Sequence, residues 1–119
     1  MNGAISRMET LLRIILAAAF LSPLAAMGDT ANELIPKCGK DSPLQMYCIG
    51  YMQGALDTQN SLSWLTHKRK PYCLPDKNTL GQDIAVFLKY AADHPADTHY
   101  PADQLIFAAM FDAFPCSGQ

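Results

Sequence analysis

The sequence is 119 residues long, has a formal net charge of −2, and is apolar at half of its positions. This length limits the chain to one domain and excludes a nucleotide-binding fold with a second substrate domain. The near-neutral charge argues against nucleic-acid binding, which usually requires a strong basic excess. Only 17% of the residues are charged, so the composition is also unlike that of a disordered chain.

The first 28 residues have the pattern of a secretory signal peptide. Arg7 and Arg13 precede an uninterrupted apolar run at 14–21, and small residues then follow. The run is shorter than the roughly 20 residues that a membrane span needs, so an N-terminal anchor is the less favoured alternative. Cleavage after Gly28 fits the small-residue rule, and cleavage after Ala26 is the competing possibility.

Cleavage after Gly28 predicts a signal peptide at residues 1–28 and a mature domain at residues 29–119. Without the charges of the leader, seven basic and ten acidic residues remain, a net charge of −3. No later apolar stretch is long enough to cross a bilayer. We therefore expect a soluble, exported product that is not membrane-bound after cleavage.

The cysteines agree with export. All four of them, Cys38, Cys48, Cys73 and Cys116, lie in the mature domain. An even number of cysteines in a small exported domain predicts two disulfide bonds. Three pairings are possible, and cysteine positions by themselves do not choose among them.

Apolar periodicity predicts an all-α fold of about three to five helices, with no convincing strand. The main helices are expected at 43–65, 79–93 and 101–114, with a short helix at 30–35. Short connections make sequential helices antiparallel neighbours. The predicted fold is therefore a small helical bundle, stapled by two disulfides, that follows a signal peptide.

Hydroxyl groups and proline residues mark the starts of the predicted helices. Asp41 or Ser42 is expected to cap the first main helix, with Pro43 at its first position. Thr79 and Gln82 match a capping box at the start of the second main helix, because a hydroxyl residue precedes a glutamine by three positions.

The first main helix has an apolar stripe that includes Cys48, Met52 and Leu62. Gly50 and Gly54 lie on one face of the same helix. Each glycine costs about 1 kcal/mol relative to alanine in a helix. Two glycines on one face are explained either by close approach of another backbone or by mere tolerance, and the sequence does not decide between them.

The third main helix is almost entirely apolar. From Leu105 to Phe114 its only polar residue is Asp112. A helix that is apolar all round is buried on every side, so we expect it to be either the central helix or part of a subunit interface. A charged residue in place of Phe107 or Phe111 is then expected to abolish folding or dimerisation.

The helix layout ranks the disulfide pairings. Cys73 and Cys116 are expected at one end of the bundle, and Cys38 and Cys48 at the opposite end, because the helices alternate in direction. We therefore predict the pairs Cys38–Cys48 and Cys73–Cys116. The second pair closes a loop of about 44 residues, which stabilises a small core by roughly 4 kcal/mol.

The mature domain contains no recognisable catalytic motif. It lacks a nucleophile elbow, a phosphate-binding glycine loop and a reactive-cysteine pattern. Asp57 and Asp83 could supply the paired carboxylates of a glycosidase, but nothing in the sequence marks either of them as buried. His94, Asp97 and His99 lie close together, but their spacing across a proline loop favours a helix connection over a metal site. We predict no catalytic, cofactor-binding or metal-binding residues, and a protein that is not an enzyme.

The connection between the first two main helices has an unusual composition. Trp64, the only tryptophan, and Tyr72 flank three consecutive basic residues in an acidic domain. Tryptophan, tyrosine and arginine are enriched at interface hot spots. The competing interpretation is a solvated loop with Trp64 plugging the core. The predicted partner-binding residues are Trp64, His67, Lys68, Arg69 and Lys70.

Seven short motifs between Cys38 and Cys116 form an ordered pattern. They are Cys48-Ile-Gly-Tyr-Met-Gln-Gly54, Tyr72-Cys-Leu-Pro75, Thr79-Leu-Gly-Gln82, Phe87-Leu-Lys-Tyr90, His94-Pro95, His99-Tyr-Pro-Ala102 and Ala113-Phe-Pro-Cys116. The ordered set with its cysteines resembles the Rap/Tai family of immunity proteins associated with type VI secretion, and it spans nearly the whole mature domain.

The resemblance implies a periplasmic immunity protein that binds a peptidoglycan amidase effector and blocks its papain-like Cys-His active site, which prevents self-intoxication. It also implies a homodimer, and a protruding loop that enters the cleft of the effector. The alternative is an orphan periplasmic binding or scaffold module of the same fold with no cognate effector. Only the immunity protein would protect a cell that makes a periplasmic amidase.

Overall fold

The computed structural model describes residues 2–20 and 28–116. In these residues the only β contact is an isolated bridge between Thr30 and Pro101. The all-α bundle predicted from periodicity is therefore confirmed. The α-helices are α1 (Asn2–Phe20), α2 (Ala31–Leu34), α3 (Gln45–Thr66), α4 (Leu80–Asp93) and α5 (Ala102–Ala113), with short 3-10 helices at Ile35–Cys38 and Pro95–Asp97.

Helix α1 covers most of the predicted signal peptide. Its side chains at residues 3–14 are all exposed. No helix in the described residues combines the length and the apolar character that crossing a bilayer requires. The candidate cleavage point after Ala26 lies outside the described residues, and the one after Gly28 lies at their edge. The division of the chain into a leader and a mature domain therefore stays a prediction.

The short helix expected at 30–35 is present as α2, which runs directly into the first 3-10 helix. The Glu33 carboxylate accepts hydrogen bonds from the backbone N and the Oγ1 of Thr30, both at 2.8 Å, so a capping box fixes its start. Ala31 N donates to Tyr100 O at 3.0 Å. This bond ties the segment to the connection between α4 and α5.

Helix α3 begins two residues later than predicted. Gln45 N donates to Ser42 O at 3.1 Å, which closes a turn, and Ser42 Oγ accepts from Leu44 N at 3.2 Å. Pro43 therefore lies inside the turn, and Leu44 occupies the N-cap position. The expected cap is wrong because the fixed φ of proline suits the second position of a turn as well as the first turn of a helix.

The capping box of α4 is confirmed. Gln82 N donates to Thr79 Oγ1 at 3.3 Å, and Thr79 N donates to Gln82 Oε1 at 2.8 Å. The two bonds satisfy N–H groups that have no partner within the helix. The helix ends at Asp93, before His94 and Pro95, because the residue before a proline avoids the helical region.

The core lies between α2, α3, α4 and α5. Full burial of a leucine, methionine, isoleucine or phenylalanine side chain stabilises a fold by roughly 1.5–3 kcal/mol. On α3 the last buried residue is Leu56, so the core covers only the N-terminal half of that helix. The largest fully buried side chains are Leu34, Cys48, Met52, Phe87, Ile106 and Met110.

The structure decides one open question about α3 and corrects one expectation. A Cβ built at Gly50 or Gly54 would meet no atom within 4 Å, so among the described residues no second backbone approaches this face closely. Leu62, which the periodicity placed on the core stripe, is 51% exposed. The physical reason is length: α3 has 22 residues, whereas α4 and α5 have 14 and 12 and leave its last turns uncovered.

Helix α5 is buried on one face only. Phe111 is 60% exposed and Phe107 is half-buried, so burial on all sides within the protomer is excluded. The surrounding helices are too few to enclose α5, and its role in a subunit interface stays a prediction. The buried face consists of Ala102, Leu105, Ile106, Ala109 and Met110.

Both predicted disulfides are confirmed. Cys38–Cys48 joins the first 3-10 helix to α3 inside the core, and Cys73–Cys116 ties the segment before α4 to the segment after α5. The second tie is reinforced by Cys73 N, which donates to Phe114 O at 2.9 Å. The C-terminal end of α5 and the start of the α4 segment are thereby held together.

Replacing Cys73 and Cys116 together by alanine is expected to lower the free energy of unfolding by about 4 kcal/mol, because the unfolded chain loses a closed loop of about 44 residues. Both cysteines are only partly buried, so lost packing contributes little. Urea denaturation of the oxidised protein and the double variant measures the difference. Superimposable unfolding curves would refute a stabilising role for this bond.

Candidate partner-binding site

The C-terminal part of α3 projects beyond the core. Its last buried residue is Leu56, whereas the helix continues to Thr66, which lies about 15 Å further on at 1.5 Å per residue. His67 then adopts a left-handed conformation with φ 53°, and its N donates to Trp64 O at 3.4 Å. This residue ends the helix. We call residues 60–70 the α3 tip.

All five predicted partner-binding residues lie on the α3 tip and are exposed. Trp64 is 76% exposed, so the interpretation that it plugs the core is wrong. Sequence reasoning missed Leu62 and Leu65 as surface residues, although they are 51% and 65% exposed. The sequence did contain one indication of this exposure. The predicted first main helix is longer than the other main helices, which therefore cannot cover its whole length.

The α3 tip is basic, and the remainder of the domain is acidic. In the described parts of the chain, Lys68–Lys70 form no ion pair, and the two ion pairs found there lie elsewhere. No acidic residue occurs between Asp57 and Asp76. The tip therefore carries three unopposed positive charges, whereas the rest of residues 29–119 has four basic and ten acidic residues, a net charge of −6.

The chain that follows the tip is anchored on the body. Tyr72 is 4% exposed, and Cys73 is held by its disulfide. Asp83 is also buried and accepts a hydrogen bond from Asn78 Nδ2 at 2.6 Å. Burial raises the pKa of the Tyr72 hydroxyl, and the nearby Asp83 carboxylate raises it further. Helix α3 on one side and this anchor on the other restrict the movement of the tip.

Burial also sets the protonation of Asp83. Loss of water raises the pKa of its carboxyl group, and the hydrogen bond from Asn78 opposes that rise. Ionisation of Asp83 therefore costs more in the folded protein than in the unfolded chain, so its contribution to stability declines as the pH rises above about 4. The buried Asp83 and its hydrogen bond from Asn78 hold the chain between the α3 tip and α4 in place. They do not present a reactive group to solvent.

A second surface feature is an open groove of about 440 Å³ between α3 and α5. Tyr51, Gly54 and Thr58 line it from α3, and Phe107 lines it from α5. Gly54 has no side chain, and a Cβ built there would meet no atom within 4 Å, so the groove is open at this position. We call this surface the α3–α5 groove.

The histidines near the end of α4 take part in local contacts. The Nδ1 of His94 lies 2.9 Å from Tyr90 O, and the Nδ1 of His99 lies 2.8 Å from Ala96 O. The His94 ring also stacks on Tyr90, with 4.0 Å between ring centroids. Within the described residues, no group of three or more histidine, cysteine or acidic side chains is arranged to hold a metal ion. These histidines stabilise the α4–α5 connection.

Comparison with known proteins decides the family. The model of the Rap1a immunity proteins matches residues 30–116, from the N-cap of α2 to the last cysteine. The chain belongs to this family. The resemblance inferred from the ordered motifs is thereby confirmed, and membership indicates immunity to a secreted effector and a binding role rather than catalysis. Comparison with curated proteins and with solved structures found no match.

Replacing Trp64 by alanine is expected to change the free energy of unfolding by no more than about 0.5 kcal/mol, because the side chain is exposed. Thermal or urea unfolding, followed by circular dichroism, measures this. The matched control is Phe87→Ala, a fully buried aromatic residue whose truncation is expected to cost about 3–5 kcal/mol. A comparable loss of unfolding free energy for Trp64→Ala would show that this side chain packs in the core.

Proposed function

We propose that this member of the Rap1a family is a periplasmic immunity protein that binds a peptidoglycan amidase effector of type VI secretion and blocks its active site. Cells of the same kind are thereby protected from intoxication by their sisters. The observation that carries the proposal is the family match over residues 30–116.

The periplasmic location is supported by the disulfides. Cys38–Cys48 and Cys73–Cys116 account for every cysteine of the chain, and such bonds form and persist in oxidising compartments. The basic and apolar pattern at residues 1–28 adds a route of export. Both features point to a protein that meets its effector outside the cytoplasm.

The α3 tip is the part of the domain that best suits insertion into an active-site cleft. It projects about 15 Å beyond Leu56, and its helical backbone is already ordered, so binding costs little conformational entropy. Trp64 and Leu65 supply exposed apolar area, and tryptophan is a frequent hot-spot residue. Burial of these side chains would stabilise the complex, and occupation of the cleft would exclude the substrate.

Inhibition of this kind needs no chemistry from the immunity protein. Lys68, Arg69 and Lys70 would face acidic groups at the rim of the cleft, where complementary charge speeds association and selects among partners. The complex would therefore depend on steric exclusion by the tip and on charge at its edge.

We also propose that the protein forms a homodimer through the α3–α5 groove. Phe107 and Phe111 are four residues apart, so they share one face of α5, and both are at least partly exposed. The bare surface at Gly54 lets a second helix approach closely. A partner on this face would complete the burial of the apolar helix that the protomer leaves partly uncovered.

The protein with its disulfides intact is expected to retain a peptidoglycan amidase in a pull-down from the secreted fraction and the periplasm of its own organism. The same protein should protect a bacterium that makes that amidase in its periplasm. Charge reversal at the tip, Lys68→Glu/Arg69→Glu/Lys70→Glu, is expected to reduce protection sharply. Growth under amidase induction is the readout.

The matched control reverses three lysines elsewhere, Lys40→Glu/Lys77→Glu/Lys89→Glu, and is expected to protect like the unchanged protein. Protection that survives the tip variant would reject the tip assignment and leave the inhibitor proposal standing. If no amidase is retained and no protection is seen, the chain is an orphan binding or scaffold module.

Phe111→Asp is expected to give a folded monomer, because the side chain is exposed in the protomer and a charge cannot be buried unpaired in an interface. Analytical ultracentrifugation and circular dichroism report mass and folding. Ala92→Asp places the same charge on an exposed position of α4 and is expected to remain dimeric. A dimeric Phe111→Asp protein would exclude this face as the interface.

A further inference from the structure

We propose that the α3 tip also docks the free protein on an anionic lipid bilayer, with its apolar side chains at the level of the headgroups. This activity goes beyond immunity, does not depend on the identity of the effector, and replaces the expectation from the sequence that the mature protein is not membrane-bound. It rests on three properties of the tip: the placement of its apolar side chains, the position of its charges and its distance from the acidic body.

The apolar side chains lie at the extremity of the helix. Leu62 and Leu65 are three residues apart and therefore share one face, and Trp64 lies beside them. All three are more than half exposed, because nothing in the described residues covers them. Leucine and tryptophan next to a basic segment are the residues by which helices bury their apolar side at a bilayer surface, and tryptophan favours the interface itself.

The positive charges follow the apolar group directly. Lys68–Lys70 begin two residues after the helix ends at Thr66, and no acidic residue occurs between Asp57 and Asp76. Basic residues beside an apolar anchor are attracted by the negative surface potential of anionic lipids. When the apolar side chains enter the headgroup region, Lys68 and Arg69 would lie nearest the lipid phosphates, and Lys70, whose carbonyl oxygen lies 3.8 Å from Cys116 Sγ on the body, would lie behind them.

Distance resolves the conflict with the acidic body. Outside the tip, residues 29–119 have a net charge of −6, which an anionic surface repels. The helical end of the tip, Thr66, lies about 15 Å beyond Leu56, whereas the Debye length at physiological ionic strength is about 8 Å. Only Lys70 has returned to the body, where its carbonyl oxygen lies 3.8 Å from Cys116 Sγ. Repulsion of the body is therefore largely screened while the tip is in contact. The same repulsion orients the domain end-on, with the tip toward the membrane.

Before an effector is present, a lipid surface is a better partner for these features than an acidic protein. The end of α3 is a convex projection with exposed apolar side chains, and basic residues follow it on the chain that returns to the body. A soft, planar, anionic surface accommodates such a projection without a matching cavity. Effector and bilayer would bury the same side chains, for example Trp64 and Leu65. Their binding is therefore mutually exclusive, and the membrane holds the protein only until an effector arrives.

The experiment uses the protein recovered from the periplasm of an expressing host, with its disulfides intact and its N-terminus defined by intact mass. Trp64 is the only tryptophan, so its fluorescence reports on the tip alone. With phosphatidylcholine–phosphatidylglycerol vesicles we expect emission to shift to shorter wavelength and the protein to sediment with the vesicles. Pure phosphatidylcholine vesicles, or high salt, should abolish both effects.

Two variants and one control test which residues are responsible for binding to the vesicles. Because each basic residue contributes about a fivefold effect near an anionic surface, Lys68→Glu/Arg69→Glu/Lys70→Glu should lower the partition coefficient about a hundredfold or more. Leu62→Ser/Leu65→Ser should weaken binding and remove the spectral shift. The control, Lys40→Glu/Lys77→Glu/Lys89→Glu, has the same net charge as the first variant and should bind like the unchanged protein.

Three results would overturn the proposal. The first is absence of binding to anionic vesicles, and the second is equal binding to neutral and anionic vesicles. The third is an equal loss of binding in the control and in the tip variant, which would mean that net charge rather than the tip matters. Binding of polyglutamate, without binding of vesicles, would assign the tip to acidic proteins. None of these results bears on protection against an amidase, so the two proposals are tested separately.

Discussion

The mismatch in length between α3 and its packing partners shapes the rest of this structure. Helix α3 has 22 residues, whereas α4 and α5 have 14 and 12. Two shorter helices cannot cover a longer one along its whole length, so burial on α3 stops at Leu56. The uncovered end becomes a helical projection that extends to Thr66 beyond the last buried residue of the helix. In a domain this small, such an exposed apolar end is most easily explained by binding.

The disulfides compensate for a small core and hold the projection in place. Cys38–Cys48 fixes the start of α3 against the first 3-10 helix, and Cys73–Cys116 fixes the chain that returns from the tip. Buried Tyr72 extends the second anchor into the core. The tip therefore leaves and rejoins a body that is cross-linked at both ends, which keeps its orientation relative to the core.

The two exposed surfaces have different chemistry and suit different partners. The α3 tip joins apolar side chains to three positive charges, whereas the α3–α5 groove has mostly apolar or small lining residues and one acidic residue, Asp103, without a basic one. A charged projection is suited to an acidic or anionic partner, and an open apolar groove with a bare glycine is suited to another helix. Family membership indicates immunity to a secreted effector, and the two surfaces are separate enough in chemistry for the proposed effector and the proposed second copy to use different ones.

Local signals in the sequence determined much of the fold. The capping box of Thr79 and Gln82 set the start of α4, and the alternating direction of the helices sufficed to pair the cysteines. Periodicity did not reveal that Leu62 and Phe111 are exposed, because exposure depends on how far neighbouring helices extend, which the pattern of one helix does not contain. Pro43 suited both a turn and a helix start, and only the hydrogen bond from Gln45 to Ser42 decided between them. Composition therefore located the basic segment, and the tertiary structure made it a projecting tip.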